Sequence, residues 1–422
     1  MDAPGHGVRD DARLPLRRDD PAADPACHHR PARRLLALPM KHPRNGGWLA
    51  SPWLLPALVG LALLLRLYRL TALGFWVDEI FTVKAVRHLR EIDAGHFFAD
   101  LHGPLYSGLA ALLAPLLPGE WLRLLSAVAG ALSVWLVHAW VRRVAGPPAA
   151  ALAGLLAALS PFAVWYGQEL RNYSLVLLLA PACLLAAEGW RAEGGPRRGA
   201  FLALVLCAWL GLLANLSFLL FLLGLGLALI VGAGAGPARR RVLGRLLAAA
   251  GLVLVLSLPW LLSFIEQMAP QRLVTPAPAW DEAPLRGETT FTPLALPYTV
   301  FTLLAGYSYG PSLEELHHGA GAAARAHLPA LALAGIVFAG LLVAGFLGVS
   351  PRRRLELAIV VIVALGLASF LALRNFKVYN VRYVSMLWPL LLLLMAQGLL
   401  SLRIRWLRLA ASLLLGGVLV AG

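Results

Sequence analysis

Residues 246–264 of this chain read LLAAAGLVLVLSLPWLLSF, a run of 19 residues without a charged side chain. A helix needs about 20 apolar residues to cross the hydrocarbon core of a bilayer, which is about 30 Å thick. Comparable runs occupy residues 327–349 and 356–373. Core helices of soluble proteins are amphipathic and shorter, so these runs predict an all-α membrane protein with many transmembrane helices.

The composition of the whole chain agrees with this class. Of its 422 residues, 59% are hydrophobic and 14% are charged, whereas soluble domains contain about 45–50% apolar and about 25% charged residues. The net charge of +15 comes from short Arg clusters between apolar runs, a pattern that orients membrane proteins. It therefore argues against nucleic-acid binding. The three cysteines, Cys27, Cys183 and Cys207, have neither metal nor disulfide spacing.

The basic clusters predict the orientation, because Lys and Arg accumulate on the cytoplasmic side. These clusters are Arg142 and Arg143; Arg191, Arg197 and Arg198; Arg239, Arg240, Arg241 and Arg245; Arg352, Arg353 and Arg354; and Arg403, Arg405 and Arg408. Consecutive clusters must bracket an even number of crossings. This condition is met by about eleven transmembrane helices with a cytoplasmic N-terminus, in a multi-pass protein of the cell membrane.

The chain divides into a tail and a membrane domain. Residues 1–49 are rich in Pro, Ala, Arg and Asp, which predicts a disordered cytoplasmic tail, and Met40 is an alternative start. Residues 50–422 form the transmembrane domain, whose first run, 53–70, lacks a signal-peptidase site and is expected to remain as an anchor. Two external segments, 71–120 and 266–326, are long enough to be functional. The first is expected to be structured, with a re-entrant or surface-lying helix at 103–117.

Four polar clusters fall on the external face of this topology. They are Asp78 with Glu79; Asp100, His102 and Tyr106; Glu169, Arg171 and Tyr173; and Lys377, Arg382 and Tyr383. Carboxylates at an apolar boundary suit general-base catalysis or metal binding, and guanidinium groups suit a phosphate. An isolated Asp-Glu pair is more often a solvated loop start. The convergence of four clusters on one face is what predicts a functional site.

Some of these residues resemble a known family. Trp76-Val77-Asp78-Glu79, the run from Asp100 to Tyr106, and Trp165 to Tyr173 resemble glycosyltransferase family 39, the protein mannosyltransferases and lipid A aminoarabinose transferases of the type C fold. The resemblance covers about residues 50–175, and Lys377 to Tyr383 resembles the later Arg-Tyr motif.

The resemblance implies an integral membrane glycosyltransferase that uses a sugar linked to a polyprenyl phosphate. Transfer of a hexose or pentose would occur on the extracytoplasmic side, with inversion, to a hydroxyl of a protein, lipid or glycan. Asp78 matches the catalytic base and Glu79 its companion, and the remaining cluster residues are expected to bind substrate. His102 matches the His of a His-Pro-Pro-Leu motif that here reads His-Gly-Pro-Leu, so Gly103 is expected to loosen this turn.

Two questions stay open at this stage. No cofactor is indicated, but Asp78 and Glu79 leave open a divalent metal ion, Mg²⁺ or Mn²⁺. The alternative function is a secondary transporter or lipid flippase, which also has about a dozen helices but places ionisable groups near the bilayer midplane. Here the polar residues gather at the outer helix ends, which favours the transferase.

Overall fold

The computed structural model describes residues 51–91, 103–191, 198–273, 291, 293–310, 315, 321–322, 325–374 and 379–421. This part of the chain is helical and contains no strand, which confirms the all-α class. The predicted tail, 1–49, lies outside it. The α-helices are α1 Leu54–Leu67, α2 Val77–Glu91, α3 Pro104–Leu113, α4 Leu124–Ala145, α5 Pro147–Leu159, α6 Pro161–Gly167, α7 Tyr173–Trp190, α8 Arg198–Ala214, α9 Phe218–Gly232, α10 Pro237–Leu273, α11 Ala295–Ala305, α12 Leu328–Gly348, α13 Pro351–Leu373, α14 Trp388–Ser401 and α15 Arg405–Ala421. Two 3₁₀ helices, Gly119–Arg123 and Val381–Leu387, precede α4 and α14.

The helices confirm a multi-pass membrane protein. Within the described ranges, six helical segments are long and apolar enough to cross a membrane, and α5 with α6 forms a seventh if counted as one bent span. The predicted number of eleven crossings is not confirmed, because five other apolar helices have only 10–17 residues. One of them is α3, whose 10 residues are too few to cross by themselves.

The apolar run at 149–166 is broken. Helices α5 and α6 meet at an angle of 53°, because Pro161 begins a new helix and the Ser160 hydroxyl accepts a hydrogen bond from the amide of Ala163. The last carbonyls of α5 lose their helical partners at such a break. The fully buried Arg66 of α1 donates to the carbonyl oxygens of Ala157 and Ala158, at 3.5 and 3.4 Å. Its guanidinium therefore takes the place of the missing backbone donors.

Close helix packing holds the segment that carries Arg382. Helices α12 and α14 approach until their backbones touch, since a Cβ atom at Gly345 would overlap the carbonyl of Leu394 and one at Gly398 the carbonyl of Leu341. Small residues permit such contact in membrane proteins, where van der Waals packing rather than hydrophobic burial holds helices together. The 3₁₀ helix before α14 is therefore attached to a rigid pair.

Candidate active site

A buried ion pair joins the start of α2 to the start of α4. Glu79 is fully buried, and Arg123 donates to its two carboxylate oxygens at 2.8 and 2.6 Å. The backbone amides of Trp76 and Leu170 donate to the same carboxylate at 3.2 and 2.7 Å. Glu79 therefore holds together three segments of the chain, including the turn before α7.

A second ion pair lies at the surface of this assembly. Arg382 donates from a terminal nitrogen to Asp78 Oδ2 at 2.6 Å, and each side chain retains 24% of its exposure. Asp78 is thus accessible to a substrate, in contrast to its neighbour Glu79. The pairing joins positions 304 residues apart in the chain.

Arg171 lies beside this pair, on the turn that leads into α7. Its guanidinium donates to the backbone carbonyl of Asp78 at 2.8 Å and to the Thr82 hydroxyl at 3.4 Å. The next residue, Asn172, donates its side-chain amide to the carbonyl of Ala214 at the end of α8, at 2.6 Å. Arg171 and Arg382 thus both donate to Asp78, the first to its backbone carbonyl and the second to its carboxylate.

Tyr173 packs against the guanidinium of Arg382. The guanidinium of Arg382 lies 5.5 Å from the centre of its ring, a cation–π distance, and 5.9 Å from the ring of Tyr383. Within the described part of the chain, neither the Tyr173 hydroxyl nor Arg382 Nε, both buried, has a hydrogen-bond partner. Because buried polar groups are nearly always satisfied, these two donors are available to a polar ligand or to water.

An aromatic wall continues from Tyr173. Its ring lies 4.9 Å from that of Tyr166, whose hydroxyl is 2.8 Å from the hydroxyl of Tyr307. Burial raises the pKa of Tyr307 to about 12, so this hydroxyl stays protonated at physiological pH. Rings with hydroxyl groups on one side offer both stacking surface and hydrogen bonds.

Glu169 is a protonated carboxylic acid at neutral pH. It retains 7% of its exposure, and burial raises its pKa to about 8, although a hydrogen bond with Trp165 opposes the shift. The charge of Glu79 raises the pKa further, whereas Arg171 and Arg382 lower it. Glu169 is therefore mostly neutral at pH 7 and offsets little of the positive charge of the two arginines.

The structure brings together most of the residues predicted for the site. Asp78, Arg171, Tyr173, Arg382 and Tyr383 surround one region, with Glu169 close to the two arginines. Tyr106 is instead buried behind it, with its hydroxyl 2.6 Å from that of Ser126. Asp100, His102 and Lys377 lie outside the described residues, so their predicted roles stay predictions.

Arg123 was not among the residues predicted for the site. It lies at the start of α4 and pairs with Glu79. The predicted topology offered a signal, because it puts this end of α4 on the external side, where an Arg opposes the positive-inside trend and needs a local reason.

The expectation that Gly103 loosens its turn is wrong. Gly103 has φ +84°, and a Cβ atom there would overlap the backbone carbonyl of Leu213. Proline holds φ near −65°, so it cannot replace this glycine in the observed turn. Gly103 instead allows α3 to begin in contact with the end of α8.

The described residues do not fit a divalent metal ion. No three His, Cys, Asp or Glu side chains in the described ranges lie together. Both oxygens of Glu79 accept from Arg123, and Asp78 is paired with Arg382. We therefore assign no reaction step to a divalent metal ion at Asp78 and Glu79.

Comparisons with known proteins support the fold and the resemblance. The family model described as dolichyl-phosphate-mannose-protein mannosyltransferase matches residues 102–262, a segment that contains Glu169, Arg171 and Tyr173 but begins after Asp78. No curated protein matches the sequence.

Solved structures match a larger part of the chain. The apo structure of ArnT from Cupriavidus metallidurans matches with a TM-score of 0.54 and 19% identity, over 83% of this chain and 59% of that one. The apo oligosaccharyltransferase of Archaeoglobus fulgidus matches with a TM-score of 0.51 and 14% identity, over 88% of this chain and 55% of that one. This chain thus spans between 55% and 59% of the length of these two proteins. Together the matches confirm its resemblance to glycosyltransferase family 39 and show the type C glycosyltransferase fold.

Proposed function

We propose that this protein is an integral membrane glycosyltransferase that moves a sugar from a polyprenyl-phosphate donor to an acceptor hydroxyl. The observation that carries the proposal is the accessible carboxylate of Asp78, which accepts from Arg382, while Arg171 donates to the backbone carbonyl of the same residue. Transfer takes place on the extracytoplasmic face, at the end of α7 that lies opposite the Arg191 cluster.

The two arginines bind the leaving group. A polyprenyl phosphate leaves as an anion, so it needs neighbouring cations that stabilise the charge developing in the transition state. Arg382 Nε and the Tyr173 hydroxyl, both buried and unsatisfied within the described residues, supply further donors. A phosphate here competes with Asp78 for the guanidinium of Arg382, and its arrival releases the carboxylate.

Asp78 then acts as the general base. The acceptor oxygen attacks the anomeric carbon from the side opposite the phosphate, the bond from that carbon to the phosphate oxygen breaks, and Asp78 takes the hydroxyl proton. One displacement of this kind inverts the anomeric configuration. A positioned base contributes about 10²–10⁴-fold to such a step.

Glu79 has a positioning role in this proposal. It accepts four hydrogen bonds, from Arg123, Trp76 and Leu170. Because Glu79 follows Asp78 and Leu170 precedes Arg171, these bonds tie the segment of Asp78 to the segment of Arg171. The base and a phosphate-binding cation are thereby held at a constant distance. Direct participation of Glu79 in catalysis, as the resemblance implies, stays untested.

An apolar groove beside the site suits the prenyl chain. A cavity of about 650 Å³ lies between α3, α8 and α10, with a lining that includes Leu109, Leu112, Trp209, Leu213 and Trp260. It adjoins the site, because the residue after Leu213 is Ala214, which accepts the hydrogen bond of Asn172. A lipid-linked donor can thus place its phosphate at Arg171 and its chain along the groove.

A transporter is not favoured by these contacts. Transporters hold substrates and ions at the bilayer midplane on interrupted helices. Here Asp78, Arg171 and Arg382 lie at helix ends, and the buried Arg66 is occupied by backbone carbonyls.

The ionisation of Glu169 is expected to weaken donor binding at alkaline pH. As the pH rises through about 8, the pKa of this group, a negative charge appears near the two phosphate-binding arginines. The KM for the donor should rise about fivefold between pH 7 and 9, equivalent to about 1 kcal/mol. Glu169→Gln keeps the neutral form at every pH, so its KM should not change over this range. Equal pH profiles of the two proteins would remove Glu169 from donor binding.

Reconstitution tests the activity itself. The protein is placed in proteoliposomes with a panel of radiolabelled hexoses and pentoses on polyprenyl phosphate, and with protein, lipid and glycan acceptors. Sugar transfer with inverted configuration, and only from donor in the leaflet next to the Asp78 end, is expected. Intact donor throughout the panel, together with gradient-driven uptake of a substrate, would instead establish a transporter.

A further inference from the structure

A second polar cavity lies at the opposite end of α7 from Asp78. Helix α7 has 18 residues and is about 27 Å long, with Arg171 shortly before its first residue and Arg191 directly after its last. The cavity, of about 320 Å³, is open on one side and lies between Arg191, the end of α9, and the starts of α10 and α13. It is therefore separate from the proposed active site.

Four arginines from three elements line this cavity: Arg191, Arg241, Arg245 and Arg352. None of the described residues in its lining is acidic. Arg191 pairs with Glu188 and Glu356 at 2.8 Å each, and Arg352 with Glu356 at 3.3 Å. The charges of these two arginines are thus balanced by carboxylates that do not line the cavity.

Arg241 and Arg245 are exposed, and no described residue neutralises their charge. Neither makes a hydrogen bond or an ion pair with a described residue. They lie four residues apart on α10, where like charges repel across one helical turn. An anion between them removes this repulsion and completes the charge balance of the cavity.

The remaining lining is apolar. It includes Trp190 and Leu229, which are buried in the protein, and Trp at a helix end is typical of the level of lipid headgroups. A cationic pocket at this level, with no acidic residue in its described lining, fits the phosphate of a lipid headgroup.

We infer that this cavity binds the phosphate headgroup of an anionic phospholipid from the leaflet at that end of the helices. Basic pockets between transmembrane helices bind such headgroups, and guanidinium groups can grip the phosphate through paired hydrogen bonds. The lipid attaches α10 to α7 and α13. Protein covers α10 much less than α7, since 17% of the most apolar stretch of α10 is buried, compared with 72% for α7.

Lipid retention by the purified full-length protein tests this inference. Native mass spectrometry measures the apparent Kd for phosphatidylglycerol and for phosphatidylcholine in wild type and in Arg241→Gln/Arg245→Gln. Loss of both charges should weaken phosphatidylglycerol binding about 10- to 30-fold and leave phosphatidylcholine binding unchanged. Arg403→Gln/Arg405→Gln is the matched control, because it removes the same charge from two arginines that are equally exposed but do not line the cavity.

A charge-conserving variant, a folding control and a competition experiment complete the test. Arg241→Lys/Arg245→Lys should restore most of the preference for phosphatidylglycerol, and unfolding measured without added lipid shows whether each variant is folded. Equal phosphatidylglycerol affinity in the wild type and the Gln variant would overturn the inference. So would displacement of phosphatidylglycerol by millimolar inorganic phosphate, because the site would then recognise a free anion.

Discussion

Asp78→Asn is expected to reduce the kcat of sugar transfer by about 10²–10⁴-fold, the contribution of a positioned general base. Asparagine keeps the shape of the side chain and an oxygen that accepts from Arg382, but it cannot take a proton. The KM for the donor should not increase, since Arg382 no longer has an ionic competitor for the phosphate. Steady-state kinetics in proteoliposomes separate the two parameters.

Glu120→Gln provides the matched control for this substitution. Glu120 precedes α4 at the same end of the bundle and makes no hydrogen bond within the described chain, so the same change of carboxylate to amide should leave kcat unaltered. Equal kcat values for the wild type and a folded Asp78→Asn protein would exclude Asp78 as the base.

Glu79→Gln is expected to lower the free energy of unfolding by about 3–5 kcal/mol, as for other buried ion pairs that lose one partner. Arg123 would keep its charge in a site where it has 4% exposure, without the carboxylate that balances it. Thermal unfolding in detergent should show a markedly lower Tm. Transfer activity should fall as well, because Asp78 and Arg171 lose their common support.

The double variant Glu79→Leu/Arg123→Met distinguishes the ion pair from the rest of the site. It removes both charges, so it should recover a substantial part of the lost stability. It should not recover the activity, since the amides of Trp76 and Leu170 have lost the acceptor that aligned them. A Glu79→Gln protein with the Tm of wild type but no activity would favour direct catalysis by Glu79 over the positioning role.

Much of the fold follows from local patterns in the sequence. The apolar run at 246–264 lies within α10, and the run at 327–349 is observed as α12, Leu328–Gly348. Such segments form helices in a membrane because each backbone hydrogen bond closes within the segment itself. The bend at Ser160 was not predicted, although Pro161 marks it, because the sequence is equally apolar on both sides of this position.

The sequence by itself determined the membrane class, the family resemblance and the carboxylates and arginines from which a site could be built. Only the tertiary structure decided how they pair: Arg382 joins Asp78 across 304 positions, and Arg123 joins Glu79 across 44. The physical reason is that helix formation depends on neighbours in the chain, whereas an ion pair between helices depends on how they pack. Two adjacent carboxylates that look alike in the sequence therefore became one accessible group and one buried support.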